Sequence, residues 1–326
     1  MNPELPSLPM PADDGDPPAS RTVLYPEILV DARFEEPPPE PRPPNRRLPV
    51  LLFIATCLSS FGAQSGHLDR FWALILGAED FVPHIRPWEG LQYALALMTI
   101  LLCHEFGHYL QARHYEIPAS LPHFVPMPLP PIGTLGAVIG MRPRAADDRA
   151  LFDLAITGPI AGLIPALIFS YAGLQWSTFE PMSAEAQPGG LGVSILFGWI
   201  ADLAVPSVPE NHYVLLHPVA FAGWFGILIT SLNLIPIGQL DGGHILYTLV
   251  PGRAHLVSML LLAAAAAAVV FAGYGHWALM ILLLILIGPR HPPTARGRPL
   301  DRKRIVLGWL MLLFVLVGFT PRPFIF

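Results

Sequence analysis

One segment of this chain spaces histidine and glutamate for metal chemistry. His104-Glu105-Phe106-Gly107-His108 is an H-E-x-x-H motif inside the apolar stretch "LLCHEFGHYLQAR". On a helix, residues four apart lie one turn above each other, so both imidazoles can reach one ion. Zinc accepts neutral imidazole, and a catalytic zinc site takes three protein ligands and keeps one open position. Glu105, next to the first histidine, is suited to take a proton from a water activated by the metal. The plainer reading is a helix whose polar patch faces a neighbour. Three ionisable groups in an apolar span cost on the order of several kcal/mol unless something compensates, and a bound Zn²⁺ compensates.

A third ligand must come from elsewhere. The stretch Asn233-Leu-Ile-Pro236-Ile-Gly-Gln-Leu-Asp241-Gly242-Gly243-His244 places a carboxylate in another apolar segment. An ionisable group there is a functional-site candidate by default. Pro236 frees backbone groups and bends the helix. Gly238, Gly242 and Gly243 permit close backbone approach. Asp241 also suits the cap of a helix running onward from Gly242. His244, three residues on, is an alternative ligand that ranks below Asp241.

These residues need a framework, and composition says which kind. Of 326 residues, 53% are hydrophobic and 13% charged, against about 25% charged in soluble domains. That is the signature of a membrane protein. Apolar runs predict about seven spans, near 48–65, 90–113, 151–173, 217–249, 255–273, 276–289 and 305–320. The fold class is therefore an all-α membrane protein, a polytopic helical bundle. Residues 191–208 are apolar but interrupted by Asp202 and Pro206, and they are expected to lie at the interface or re-enter. Residues 133–142, "GTLGAVIGMR", read as extended and are too short to cross as a helix.

Arginine placement sets the orientation. Arg42, Arg46 and Arg47 precede the first span, and Arg113, Arg142, Arg144 and Arg149 lie between the second and third. Arg253 follows the fourth, and Arg290, Arg296, Arg298, Arg302, Lys303 and Arg304 lie between the sixth and seventh. Seven spans with a cytoplasmic N-terminus put all four groups on the cytoplasmic side, as the positive-inside rule requires. Residues 1–47 form an acidic, proline-rich tail with no apolar core of a signal peptide; residues 1–40 hold nine acids and two arginines, unlike a transit peptide. Such a segment is expected to be disordered and cytoplasmic. Residues 48–320 would form the membrane-embedded domain, its catalytic core at 90–251, and residues 321–326 a short tail. No basic patch suggests nucleic acid as a partner. Cys57 and Cys103 both sit in apolar stretches and imply no disulfide framework.

Two of these motifs, "HEFGH" and "NLIPIGQLDGGH", resemble the site-2 protease family of intramembrane zinc metalloproteases. That family's second motif has the form N-x-x-P-x-x-x-L-D-G, matched at Asn233, Pro236, Leu240, Asp241 and Gly242. Between them, "GTLGAVI" at 133–139 resembles the family's membrane-embedded β-hairpin, and "GPIAG" at 158–162 the opening of its next helix. The resemblance covers roughly Gly90 to Pro251. It implies that His104, His108 and Asp241 hold the zinc, that Glu105 is the general base, and that Asn233 contacts the substrate backbone or the oxyanion. The residues between hairpin and third span are too few for an inserted PDZ domain, so the chain is similar to the compact branches of prokaryotes and plastids.

The expected activity is hydrolysis of peptide bonds in or near transmembrane helices of membrane-protein substrates, as in regulated intramembrane proteolysis. The expected setting is a bacterial inner (cell) membrane, with the bilayer itself as solvent. A transmembrane helix hides its carbonyls in its own hydrogen bonds and must unwind before attack. The extended segment around Gly133–Ile139, with Gly133 and Gly136 as its substrate-contacting residues, is suited to receive the unwound strand by edge pairing. Two other functions fit a polytopic bundle with intramembrane His and Asp. One is a metal-ion transporter, which needs ligands but no adjacent general base and usually shows internal repeats. The other is a homologue that binds helices without cutting, which would have no use for Glu105.

Overall fold

Long apolar runs in lipid satisfy their backbone polar groups within the segment, and helix is the outcome. The computed structural model describes residues 47–77, 84–140, 146–182, 190–288 and 299–325. The acidic tail expected to be disordered lies outside the described residues, as does most of the basic loop near 290–298.

The framework begins with α1 (Arg47–Gln64), a short α2 (His67–Leu76) and the long α3 (Pro87–His114). An antiparallel pair, β1 (His123–Pro126) and β2 (Thr134–Val138), leads to α4 (Asp148–Gln175). Next come β3 (Thr178–Pro181), β4 (Gly190–Leu191), α5 (Ile195–Ala204) and β5 (His212–Leu215). α6 (Pro218–Asn233), α7 (Asp241–Leu249) and α8 (Ala254–Phe271) follow. The chain ends with α9 (Ala278–Ile287), α10 (Arg302–Gly318) and β6 (Phe324–Ile325). By length and composition α1, α4 and α8 are apolar enough to cross a membrane. α3 has the length, but His104, Glu105, His108, Gln111 and Arg113 lower its hydropathy.

α3, α4 and α6 form the centre. Tyr93, Leu97 and Ile100 of α3 pack with Ala166 of α4 and with Trp224, Phe225 and Ile227 of α6 in one buried cluster. Small residues allow close packing where no hydrophobic effect drives helices together in lipid. A β-carbon at Gly226 would come 2.9 Å from both Ala166 and Ile100. The outward faces are apolar instead: Phe271 is 86% exposed and Leu286 72%. In water such surfaces would drive association; in a bilayer they meet lipid.

Two features depart from the sequence expectation. The fourth run, 217–249, is two helices rather than one bent span. α6 ends at Asn233, and α7 starts afresh at Asp241. Pro236 supplies no N–H, and Gly238 takes a left-handed φ of 56°, so the helix stops and the chain turns before α7 begins. α2 lies where the apolar runs predict no element. It is amphipathic, with Phe71, Leu74 and Ile75 exposed and Trp72 Nε1 donating to the Pro128 carbonyl at 2.7 Å. α5, of 10 residues, occupies the stretch expected to lie at the interface or re-enter.

The β1–β2 pair realises the extended segment read at 133–139. His123 pairs with Val138, Phe124 with Ala137 and Pro126 with Thr134, with a bulge between Phe124 and Pro126. Thr134 Oγ1 donates to the Val125 carbonyl at 2.9 Å and accepts from Gly136 N at 3.0 Å. Gly133 has φ 85° and sits against α1, where a β-carbon would lie 2.5 Å from Ser60 Cα. Gly133→Ala is therefore expected to destabilise the protein by about 1–3 kcal/mol. The check is the thermal unfolding midpoint in detergent; an unchanged midpoint would show that the hairpin is not pinned to α1 in this way.

Candidate metal centre

α3 delivers the first donors. Pro87 occupies its first turn, where a missing N–H costs nothing, and Arg113 and His114 lie in its last turn beside the negative end of the helix dipole. Within it His104 is 4% exposed, Glu105 4% and His108 6%. The two imidazole Nε2 atoms are 3.2 Å apart. His108 Nδ1 lies 2.9 Å from the Leu154 carbonyl of α4. A carbonyl only accepts, so Nδ1 carries the proton and Nε2 presents its lone pair.

α4 makes room for these rings. It runs antiparallel to α3, and a β-carbon at Gly158 would overlap the His108 imidazole. One at Gly162 would come 2.9 Å from His104 Cβ, and one on Gly107 of α3 would come 2.6 Å from the Thr157 carbonyl. Gly158 and Gly162, four apart on one face of α4, form a small-residue packing face, and their missing side chains are also the space that the two histidines fill.

The break between α6 and α7 delivers the carboxylate. Asp241 Oδ2 lies 3.3 Å from His104 Nε2, and Oδ1 lies 3.4 Å from His108 Nε2. The loop that presents it folds tightly: a β-carbon on Gly242 would strike the Leu234 carbonyl, and one on Gly243 the Gly238 carbonyl. Ser258 of α8 donates to the Pro236 carbonyl at 3.1 Å and fastens the loop. An apolar groove of about 830 Å³ between α8, α9 and α10 lies behind the same loop, walled by Ile235, Pro236 and Ile237. Asn233, the last residue of α6, directs its Nδ2 to within 3.3 Å of His104 Nε2.

His104, His108 and Asp241 form a ligand-competent cluster among the described residues. A tetrahedral zinc site with bonds near 2.0–2.1 Å has donor–donor edges of about 3.3–3.4 Å. The Nε2–Nε2 separation of 3.2 Å is close to such an edge, and each imidazole nitrogen faces one oxygen of the Asp241 carboxylate at 3.3–3.4 Å. Two imidazole lone pairs and a carboxylate facing one buried point repel one another unless a cation lies between them. The donor set thus fits zinc. Glu105 lies near enough to interact electrostatically with all three donors.

The remaining sequence candidates are placed as follows. His244 is buried on α7 and outside the cluster. Of the other histidines, His212 Nδ1 donates to the Glu210 carbonyl at 2.8 Å, and His217 caps α6 by accepting from Val219 N at 3.3 Å. Gly133 packs on α1, as described above. Gly136, at φ 98°, abuts Ile229 of α6, where a β-carbon would lie 3.1 Å from Cδ1. Ile229 is one helical turn before Asn233, so the hairpin and the Asn233 amide share a face. Sequence reasoning missed the Leu154 carbonyl. A backbone acceptor leaves no signal in residue type.

Residues 92–273, more than half of the chain, match the family model described as Peptidase family M50. The chain is 30% identical over 241 residues to "Probable zinc metalloprotease EGY2, chloroplastic" of Arabidopsis thaliana, covering 73% of this chain and 43% of that protein. It is 32% identical over 163 residues to "Probable zinc metalloprotease EGY1, chloroplastic" of Oryza sativa subsp. japonica, covering 48% and 28%. It is 26% identical over 240 residues to "Probable zinc metallopeptidase EGY3, chloroplastic" of Arabidopsis thaliana, covering 68% and 39%. The chain thus spans less than half the length of these curated relatives.

The geometry makes Gly158 a test of the centre. Gly158→Ala is expected to displace the His108 ring and to weaken zinc binding by roughly tenfold or more. Metal content of the purified variant, measured by mass spectrometry after dialysis, is the check. Full retention of zinc would refute the placement of His108.

Proposed function

The chain belongs to peptidase family M50, the site-2 protease family, and from that premise we propose that it is an intramembrane zinc endopeptidase cutting transmembrane helices of membrane-protein substrates. The observation that carries this reading is the convergence of His104, His108 and Asp241, from helices distant in sequence, with a buried Glu105 beside them. A transporter needs the ligands; a glutamate adjacent to them is what a hydrolase adds.

His104, His108 and Asp241 would hold the zinc. Bound there, zinc acts as a Lewis acid that polarises a carbonyl and acidifies water. Glu105 accepts the proton of the attacking water and returns it to the leaving amine as the peptide bond breaks. The Asn233 amide donates to the oxyanion that develops on the scissile carbonyl. Leu154 holds the His108 imidazole in the tautomer that leaves Nε2 free. A substrate carbonyl becomes available once its helix unwinds locally, and the outer edge of β2 replaces the lost backbone bonds by pairing with the strand. Gly136, on the face shared with Asn233, keeps that approach close.

The reading includes a seven-span topology with the N-terminus in the cytoplasm. α1, α3, α4, the α6–α7 pair, α8, α9 and α10 supply the passes, and the β1–β2 hairpin and α5 enter without crossing. His108 is six residues from the end of α3, roughly 9 Å at 1.5 Å per residue. The centre then lies in the cytoplasmic half of the bilayer, and cleavage releases a fragment toward the cytoplasm. The curated relatives carry "chloroplastic" in their names, which speaks of those plant proteins.

Two expectations test the mechanism in purified protein with a helical test substrate. Glu105→Gln keeps its zinc and loses cleavage by roughly 10²–10⁴-fold; a variant that still cuts at the wild-type rate would remove Glu105 from the reaction. Asn233→Ala keeps its zinc and loses about 10²–10³ in kcat. Strand pairing is tested at Ala137, since proline at Gly136 could not adopt φ 98° and would break β2 itself. Ala137→Pro should slow cleavage at unchanged zinc content, and full activity would argue against pairing.

A further inference from the structure

We propose that Asp153, held by Arg304 and Tyr115, is a positioning residue for the metal ligand His108. The inference rests on the zinc reading above and adds residues outside the ligand set to it.

The observation is a buried carboxylate bound from two other helices. Asp153, on α4, is 8% exposed. Arg304 of α10 grips it bidentately, Nε donating to Oδ1 and Nη2 to Oδ2, both at 2.7 Å. The Tyr115 hydroxyl donates to Oδ2 at 2.6 Å. Arg304 is itself pre-set, because its Nη1 pairs with Asp301, whose Oδ1 accepts from Arg304 N at 3.0 Å and caps α10. The Asp301 carboxyl is held below its usual range, chiefly by that backbone N–H, so the cap stays charged near neutral pH. Burial first, and then Asp153, push the Tyr115 phenol up, so it remains a donor.

Position gives the clamp its meaning. Asp153 immediately precedes Leu154, whose carbonyl accepts from His108 Nδ1 at 2.9 Å. Tyr115 caps the C-terminus of α3, seven residues and two turns beyond His108 on the same face. α3 and α4 are therefore tied at two successive points, Tyr115 to Asp153 and His108 to Leu154, and α10 locks the first from outside. A bidentate guanidinium–carboxylate pair fixes orientation as well as distance. With it in place, the Leu154 carbonyl cannot slide along α3, and the imidazole keeps both tautomer and angle. Groups that orient a metal-binding histidine tune metal affinity without touching the metal. Arg304 lies beyond residues 92–273, the stretch that matches the family model.

The test uses the full chain in detergent, with Tyr115→Phe, Arg304→Lys and Arg304→Gln. Zinc dissociation constants come from chelator competition, and coordination geometry from the visible spectrum of the Co²⁺-loaded protein. Leu174→Ala, a core change about 30 Å along α4 from Asp153, controls for a general loss of stability. Tyr115→Phe and Arg304→Gln are expected to raise the zinc dissociation constant roughly tenfold and to alter the Co²⁺ spectrum. Arg304→Lys, charged but not bidentate, should fall between them and wild type. Leu174→Ala should lower the thermal midpoint and leave affinity and spectrum unchanged. Wild-type affinity and spectrum in both Tyr115→Phe and Arg304→Gln would overturn the inference, as would an equal shift in Leu174→Ala. If Arg304→Gln does not fold, Tyr115→Phe, which deletes one hydroxyl, decides alone. Wild type that binds no zinc, or His108→Ala that binds it equally well, overturns the zinc reading itself and the inference with it.

Discussion

Two imidazoles and a carboxylate buried together in an apolar bundle are the constraint on which this structure turns. Each is costly to remove from water, and their inward-facing lone pairs repel. The imidazole nitrogens lie 3.2 Å apart and each faces one carboxylate oxygen at 3.3–3.4 Å, and a cation there converts mutual repulsion into attraction. Most of the surrounding architecture can be understood as the means of holding three donors at that spacing. α3 presents two of them one turn apart. α4 yields the room they need at Gly158 and Gly162. The end of α6 and the start of α7 bring the third.

The helix break is the least expendable part of this arrangement. A continuous helix through 217–249 would carry Asp241 two turns beyond Asn233, with its backbone fully paired. Stopping the helix at Asn233 and restarting it at Asp241 brings both side chains to one point, within reach of the same His104 nitrogen. Pro236 and the left-handed Gly238 make the break, Gly242 and Gly243 let the two helix ends touch, and Ser258 ties the loop to α8. Each of these residues is a poor helix former in the middle of an apolar stretch. Their cost to local stability is the condition for placing a carboxylate inside the membrane domain.

The sequence showed the donors more clearly than their supports. Ionisable residues in apolar runs are rare enough to stand out, so His104, Glu105, His108 and Asp241 were legible from type and spacing. Pro236 was legible as a disturbance but not as a full stop, because whether proline kinks or ends a helix depends on what the freed carbonyls meet. The 133–139 stretch announced an extended conformation through its small and β-branched residues. Its docking on α1 at Gly133 depended on Ser59 and Ser60, which no local pattern marks. α2 was missed because ten amphipathic residues between apolar runs fall below the length that a span search detects. The Leu154 carbonyl was out of reach for a deeper reason: every residue has one, and only the antiparallel register of α3 and α4 selects this one.

That register also explains why an ion pair far along the sequence bears on the centre. Along α3 and α4 the contacts run His104 with Gly162, His108 with Gly158 and Leu154, then Tyr115 with Asp153. Toward the bundle interior the contact is made by absence of side chain, where Gly158 and Gly162 leave room for the two histidines against α4. Toward the helix ends it is made by charge, where water is nearer and an arginine–carboxylate pair loses less solvation on forming. Small residues alone permit sliding, since a glycine face has no preferred register. A bidentate pair has one geometry. Joining a permissive interface to a single directional lock lets α3 and α4 pack closely enough to bury the imidazoles and still hold them at one angle.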